Sequence, residues 1–240
     1  LMVTAALANE GKSSVAINLA RYIKAGNPNK KVALIDLDLR KLSVSRELEN
    51  KKNYCSLSRL LGETRTVKKR FIDNKVLRVQ SESCDKKIKR LFNENPKDFV
   101  VFGSDAPSKS PEKKLNDEKM YDFMKELRAI ADYVIIDSPP CAITTDPLLI
   151  SEYSDGILFV IRQDSTHRWT ILDCINNIST RGCNIIGGVL NAAKESILDP
   201  GYSYGYYGYG RYGKYGKYGY RSYGGYSYGK YDYDEATEKK

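Results

Sequence analysis

Six short apolar runs punctuate the chain: Leu1 to Thr4, Lys31 to Ile35, Phe99 to Gly103, Tyr133 to Ile136, Ile157 to Ile161 and Ile185 to Leu190. They are near-continuous in Val, Ile, Leu or Phe rather than alternating with polar residues. Strands of a parallel sheet covered on both faces read this way. Helical stretches lie between them. Val15, Ile17, Leu19 and Ala20 begin one, and Leu57 to Leu61 form a short one closed by Gly62. Met120, Phe123, Met124 and Leu127 fall on one helical face, and Ile171 to Ile178 supply part of another. Strands alternating with helices predict an α/β architecture, a mostly parallel sheet with helices on both faces. Two stretches stand apart. Residues 63–95 are polar, basic and weakly periodic, a surface insertion with a candidate strand at Val76 to Val79. From Gly201 onward no aliphatic residue occurs before Tyr233, and glycine at this density opposes regular structure. Residues 201–240 therefore read as a disordered tail on a folded domain of residues 1–200.

Chemistry concentrates where the strands end. The first run leads through Asn9-Glu10-Gly11-Lys12-Ser13-Ser14 into a helical pattern, the order of a phosphate-binding P-loop. Amides at a helix start point outward and carry partial positive charge, so phosphate oxygens settle there. Lys12 would reach the β- and γ-phosphates of a nucleotide, and the Ser13 hydroxyl would ligate Mg²⁺. The strict pattern has glycine where this chain has Ala6, and Ala8-Asn9 occupies positions expected to be glycine or proline. Asn tolerates positive φ, so Asn9 substitutes for glycine. The second run ends in Asp36-Leu37-Asp38-Leu39-Arg40-Lys41, and residues two apart on an extended chain share a side, so Asp36 and Asp38 can converge on one cation. The fourth ends in Asp137-Ser138-Pro139-Pro140, a Walker B-type strand whose carboxylate holds Mg²⁺ directly or through water. Asp146, before Pro147, is a candidate helix cap.

Other residues narrow the field. His167 is the sole histidine and sits in polar company, Trp169 reads as packing, and no Ser/His/Asp or Cys/His arrangement is present. The five cysteines lack metal-ligand spacing and read as reduced cytosolic thiols. No apolar run approaches the roughly 20 residues that span a bilayer. Leu1 already lies in the first strand, which implies further residues upstream in the natural protein. The net charge of +9 is dispersed and does not choose among nucleotide, anionic membrane and nucleic acid.

Fourteen of the 19 tyrosines lie in the tail: Tyr202, Tyr204, Tyr206, Tyr207, Tyr209, Tyr212, Tyr215, Tyr218, Tyr220, Tyr223, Tyr226, Tyr228, Tyr231 and Tyr233. Three uses compete: stacking on single-stranded nucleic acid, a solvated linker, or an array of phosphate acceptors for a nearby transfer site. Each phosphate would add about −1.5 to −2 charge, enough in number to reverse the sign of the tail.

Taken together, TAALANEGKSS, ALIDLDLR, VIIDSPP with TTDP, CSLSRLLGE and the tyrosine-rich end resemble the bacterial tyrosine kinases that control capsule and exopolysaccharide export. Partitioning and cell-division ATPases of the same superfamily usually carry a second lysine six residues before the P-loop lysine, where this chain has Ala6. The resemblance implies a P-loop, partitioning-ATPase-like fold that uses ATP and Mg²⁺. It implies that Lys12 binds phosphate, that Ser13, Asp38 and Asp137 hold the metal, and that Asp36 accepts the tyrosine proton. The division between Asp36 and Asp38 stays open, as does the task of Arg40, between neutralising charge and pairing with Asp38. Asn191 is the implied contact to adenine, and Asn9, Glu10, Gly11, Ser13 and Ser14 the rest of the nucleotide loop. It further implies tail phosphorylation in trans within a ring-shaped homo-oligomer and activation by a membrane protein or an upstream transmembrane segment. A cognate tyrosine phosphatase and a place at the inner face of the plasma membrane are also implied, and nucleic acid is not expected as a partner. The alternatives are a non-kinase ATPase switch and a polyanion-binding scaffold with a degenerate nucleotide site.

Overall fold

The structure is a computed structural model and describes residues 1–49, 51–61 and 84–193. In chain order the elements are β1 (Met2–Ala5), α1 (Lys12–Gly26), β2 (Val32–Asp36), α2 (Ser43–Leu48), β3 (Tyr54–Ser56), α3 (Leu57–Leu60), α4 (Cys84–Glu94) and β4 (Val100–Gly103). They continue with α5 (Pro111–Leu115), α6 (Glu118–Ile130), β5 (Tyr133–Asp137), α7 (Asp146–Ser151), β6 (Ile157–Arg162), α8 (Arg168–Ser179) and β7 (Ile185–Asn191). The seven strands form one parallel sheet in the order β3-β4-β2-β5-β1-β6-β7. β1 starts near the middle, the chain first builds to one side of it and later to the other, and β5 returns between β1 and β2. The crevice beyond the carboxyl ends of such strands is where α/β sheets bind ligands.

The near-continuous apolar runs follow from burial on both sides. Val3, Ala5, Leu34, Ile135 and Val160 pack with Ala16, Ile17 and Ala20 of α1 and Val44 and Leu48 of α2. Their neighbours Met2, Ala33, Ile35, Phe102, Ile136 and Phe159 face a second core with residues of α4 to α8. There Phe102 and Phe123 meet edge to face, 5.4 Å between centroids. Met120, Phe123, Met124 and Leu127 are all buried, and Asp117 starts α6 by accepting a hydrogen bond from the Lys119 N–H.

Several expectations need correction. The polar stretch 63–95 is more than a surface insertion over its described part, because Cys84–Glu94 is a helix that buries Ile88 and Phe92. Two apolar anchors among many charges gave little periodicity, yet four-residue spacing puts both on one face. Strand β3 and helices α2 and α5 were also unmarked by pattern, each being six residues or fewer. Trp169 does not pack; it is 71% exposed, with the Arg168 guanidinium 5.4 Å from its ring centroid. Asp146 does not cap α7, whose N-cap is Thr145. The candidate strand Val76 to Val79, Gly62 and the tyrosine tail lie outside the described residues. All five cysteines are free thiols, and among the described residues no helix is long and apolar enough to cross a membrane.

Candidate active site

The loop between β1 and α1 turns on two left-handed residues, Asn9 at φ 63° and Gly11 at φ 95°. Asn9 thus adopts the conformation for which glycine is usually used. Gly11 has a second constraint, since a Cβ there would lie 2.0 Å from Asn191 Nδ2. Asn191, at the end of β7, donates to the Glu10 carbonyl at 2.8 Å and accepts from the Ala192 N–H at 2.9 Å. Its amide braces the loop from below. Glu10 is buried and its carboxylate turns inward, accepting from the Leu7 N–H at 2.9 Å and the Thr166 hydroxyl at 2.5 Å. Glu10 therefore shapes the loop rather than presenting charge to a ligand, while Ser14 is exposed on α1.

Behind the loop, Lys12 is buried and its Nζ donates to the Leu7 carbonyl at 3.4 Å. Burial pulls its pKa down, opposed by Asp137, Asp38 and Glu10. The Ser13 hydroxyl donates to Asp137 Oδ2 at 2.6 Å, which joins the P-loop serine to the Walker B carboxylate. Asp137 and Asp36 are paired in register on adjacent strands. Burial raises the pKa of Asp137 well above the carboxylate range, and Asp36 adds to the shift. Burial likewise pushes Asp36 up to about 6, against hydrogen bonds from the Ser45 hydroxyl and N–H, both 2.7 Å to Oδ2.

The loop after β2 delivers those bonds. Asp38 Oδ1 accepts the N–H groups of Arg40 and Lys41 at 3.3 and 3.1 Å, and Leu42, at φ 54°, turns the chain into α2. That left-handed leucine costs roughly 1–2 kcal/mol and is held by burial. The Arg40 side chain does not pair with Asp38. Its guanidinium forks onto the buried Asp146 carboxylate, Nε to Oδ2 at 2.8 Å and Nη2 to Oδ1 at 3.1 Å, with Glu112 3.6 Å away. The pair ties the DxDxR loop to α7. Asp36 and Asp38 consequently have separate supports, the one on α2 and the other within its own turn.

The donor set suits Mg²⁺. Asp36 Oδ1 and Asp137 Oδ1 are buried without a hydrogen-bond partner, and the carboxylates outnumber the buried lysine. Among the described residues no three His, Cys, Asp or Glu side chains form a ready-made metal cage. Mg²⁺ in phosphoryl-transfer sites is held by one or two carboxylates plus phosphate oxygens and water, so a hydroxyl–carboxylate pair fits it.

Sequence reasoning missed Ser45, Lys41 and Thr166, and took Asp146 for a cap rather than the partner of Arg40. Each meets its partner only after the strands assemble. Lys41 Nζ donates to Asn9 Oδ1 at 3.1 Å, and Arg162 Nη1 donates to the Asn9 carbonyl at 3.1 Å.

Residues 3–114 match the family model of the ATPase MipZ. The tyrosine-protein kinase YwqD of Bacillus subtilis is 28% identical over 208 residues, covering 86% of this chain and 76% of that protein. EpsB of Ralstonia nicotianae is 30% identical over 93% of this chain, which spans only 24% of that longer protein. The kinase domain of the Escherichia coli tyrosine kinase ETK shares the fold, with a TM-score of 0.62 at 20% identity, covering 82% of this chain and 68% of that one. In sequence and fold, the chain is similar to bacterial tyrosine-protein kinases and, over residues 3–114, to a P-loop ATPase family.

Proposed function

We propose that the chain is an ATP-dependent protein-tyrosine kinase that phosphorylates the tyrosine cluster of its own tail, Tyr202 to Tyr233, in trans. The observation that carries this reading is the meeting of Lys12, Ser13 and Asp137 with Asp36 and Asp38 at the ends of β2 and β5. A phosphate-holding lysine and loop amides supply the positive field that a transferring phosphoryl group needs. Ser13, Asp137 and Asp38 would hold Mg²⁺, which neutralises phosphate charge. The phenol oxygen bonds to the γ-phosphorus, the bond from that phosphorus to the β–γ bridging oxygen breaks, and ADP leaves. The phenol proton, with an ordinary pKa near 10, passes to Asp36. Ser45 fixes Asp36 Oδ2, and the unpartnered Oδ1 is the oxygen assigned to the proton. Asn191, now bracing the loop, is the proposed neighbour of the adenine.

Regulation of capsule or exopolysaccharide export, a ring of neighbouring subunits, a membrane activator at the inner face of the plasma membrane and an opposing tyrosine phosphatase belong to the same proposal. Incubation with Mg²⁺ and ATP, in the presence of an activator fragment, should give an anti-phosphotyrosine signal. The signal should vanish in Lys12→Met, in Asp36→Asn and on deletion of residues 201–240. The match to an ATPase family model favours a second reading, a positional switch without kinase activity. ATP hydrolysis with no phosphate on tyrosine would decide for it.

A further inference from the structure

Asn9 stands where a phosphate loop usually has glycine or proline, and its side chain has an acceptor that neither could offer. That acceptor, Oδ1, takes a hydrogen bond from Lys41 Nζ at 3.1 Å. Lys41 is fixed at its other end as well, since its N–H donates to Asp38 Oδ1 at 3.1 Å. The side chain therefore runs from the DxDxR turn to the rim of the phosphate loop. Arg162 approaches the same rim from β6 through the Asn9 carbonyl.

We propose that Lys41 is a second phosphate-contacting cation, held at the loop mouth by Asn9 and directed at the terminal phosphoryl group of a bound nucleoside triphosphate. The inference rests on the nucleotide-binding reading of the site above. Lys12 Nζ is held on the Leu7 carbonyl and Lys41 Nζ on the Asn9 side chain, so the two cations come to the loop from different elements, α1 and the turn after β2. A lysine serves this purpose as a flexible point charge with three donors, and its hydrogen bond to the uncharged Asn9 amide can be exchanged for one to phosphate, where donor and acceptor are both ionised. Lys41 is half-buried and Asn9 exposed, so substitutions at either position leave the core intact.

The test is equilibrium binding of a non-hydrolysable ATP analogue and of ADP, each with Mg²⁺, to the parent chain and its variants. Lys41→Ala and Lys41→Gln should weaken the triphosphate about tenfold, equivalent to ~1.4 kcal/mol, and ADP less than twofold. Asn9→Gly, which keeps the backbone conformation and removes the tether, should reduce the preference for triphosphate about threefold, as expected for one exposed hydrogen bond. Lys113→Ala, on the basic surface of α5, should leave the preference unchanged. Equal losses for both nucleotides in the Lys41 variants, no loss in either, or the same selective loss in Lys113→Ala would overturn the assignment. A parent chain that binds ADP and the analogue normally separates such a failure from failure of the nucleotide reading, which would show as no binding of either.

Discussion

Asp36 and Asp137 end neighbouring strands, lie opposite each other in register, and are both fully buried. Each has one oxygen held by a serine and one without a partner. The serines differ. Ser13 opens α1 from the phosphate loop, so its hydroxyl can turn from Asp137 to a metal without disturbing the core. Ser45 is buried, holds Asp36 through both its hydroxyl and its N–H, and itself accepts the Ser104 N–H at 3.3 Å. A Cβ on Gly103 would come within 2.3 Å of the Ser45 hydroxyl, so that strand end is tailored to it. One aspartate is held by a serine of the phosphate loop and the other by a buried serine. That difference is what the proposed division between metal ligand and proton acceptor rests on.

The sharpest way to break this comparison is to neutralise each aspartate in turn. Asp137→Asn should weaken Mg²⁺-dependent ADP binding about 100-fold, as loss of a metal-holding group does. Asp36→Asn should leave that affinity within about threefold and slow phosphotyrosine formation about 1,000-fold, the range of general acid–base catalysis. Titration with Mg·ADP and single-turnover transfer check both. If Asp36→Asn loses Mg²⁺-dependent affinity as Asp137→Asn does, Asp36 is a ligand and Asp38 becomes the candidate base.

The clamp that joins the two loops comes next. Asp146→Ala leaves the Arg40 guanidinium without its buried partner and should destabilise the fold by about 2–3 kcal/mol, below the usual 3–5 for a buried pair because Arg40 is partly solvated. Arg40→Met in the same chain should recover part of that loss. Urea unfolding of the single and double variants measures it, and additive losses would mean the pair is not coupled.

The smallest effect concerns stability and pH. Asp36 has a native pKa of about 6, above an unfolded value near 3.9. The native state therefore binds the proton more tightly, so the contribution of this group is most favourable below pH ~4 and is lost as pH rises through 6. Asp36→Asn should accordingly raise stability by about 1–2 kcal/mol at pH 7, a gain that disappears near pH 4. Denaturant unfolding at the two pH values tests this. An Asn variant less stable than its parent at pH 7 would mean that Ser45 already compensates the buried charge.

Much of this site was legible in the chain itself. Gly11-Lys12-Ser13 at a helix start, and an aspartate at each of two strand ends, follow from local pattern because a parallel strand and the turn after it are contiguous in sequence. Asn9 as a glycine substitute was also readable, since only the backbone conformation of one residue was at issue. Arg40 was visible but its partner was not, because Asp146 is 106 residues away and its position before Pro147 suggested a cap. Helix α4 was missed for a related reason. Its two buried residues are few against eleven positions, and they acquire meaning only against α6.

The sequence by itself determined an α/β sheet, a phosphate loop and the identity of three carboxylates, because these depend on residue type and short-range spacing. The tertiary structure alone decided which oxygen each carboxylate offers, since Ser13 and Ser45 reach them from different helices. It also placed Lys41 on Asn9, across 32 residues of chain. Hydrogen bonds are set by distances of a few tenths of an ångström, and only the packed sheet fixes those.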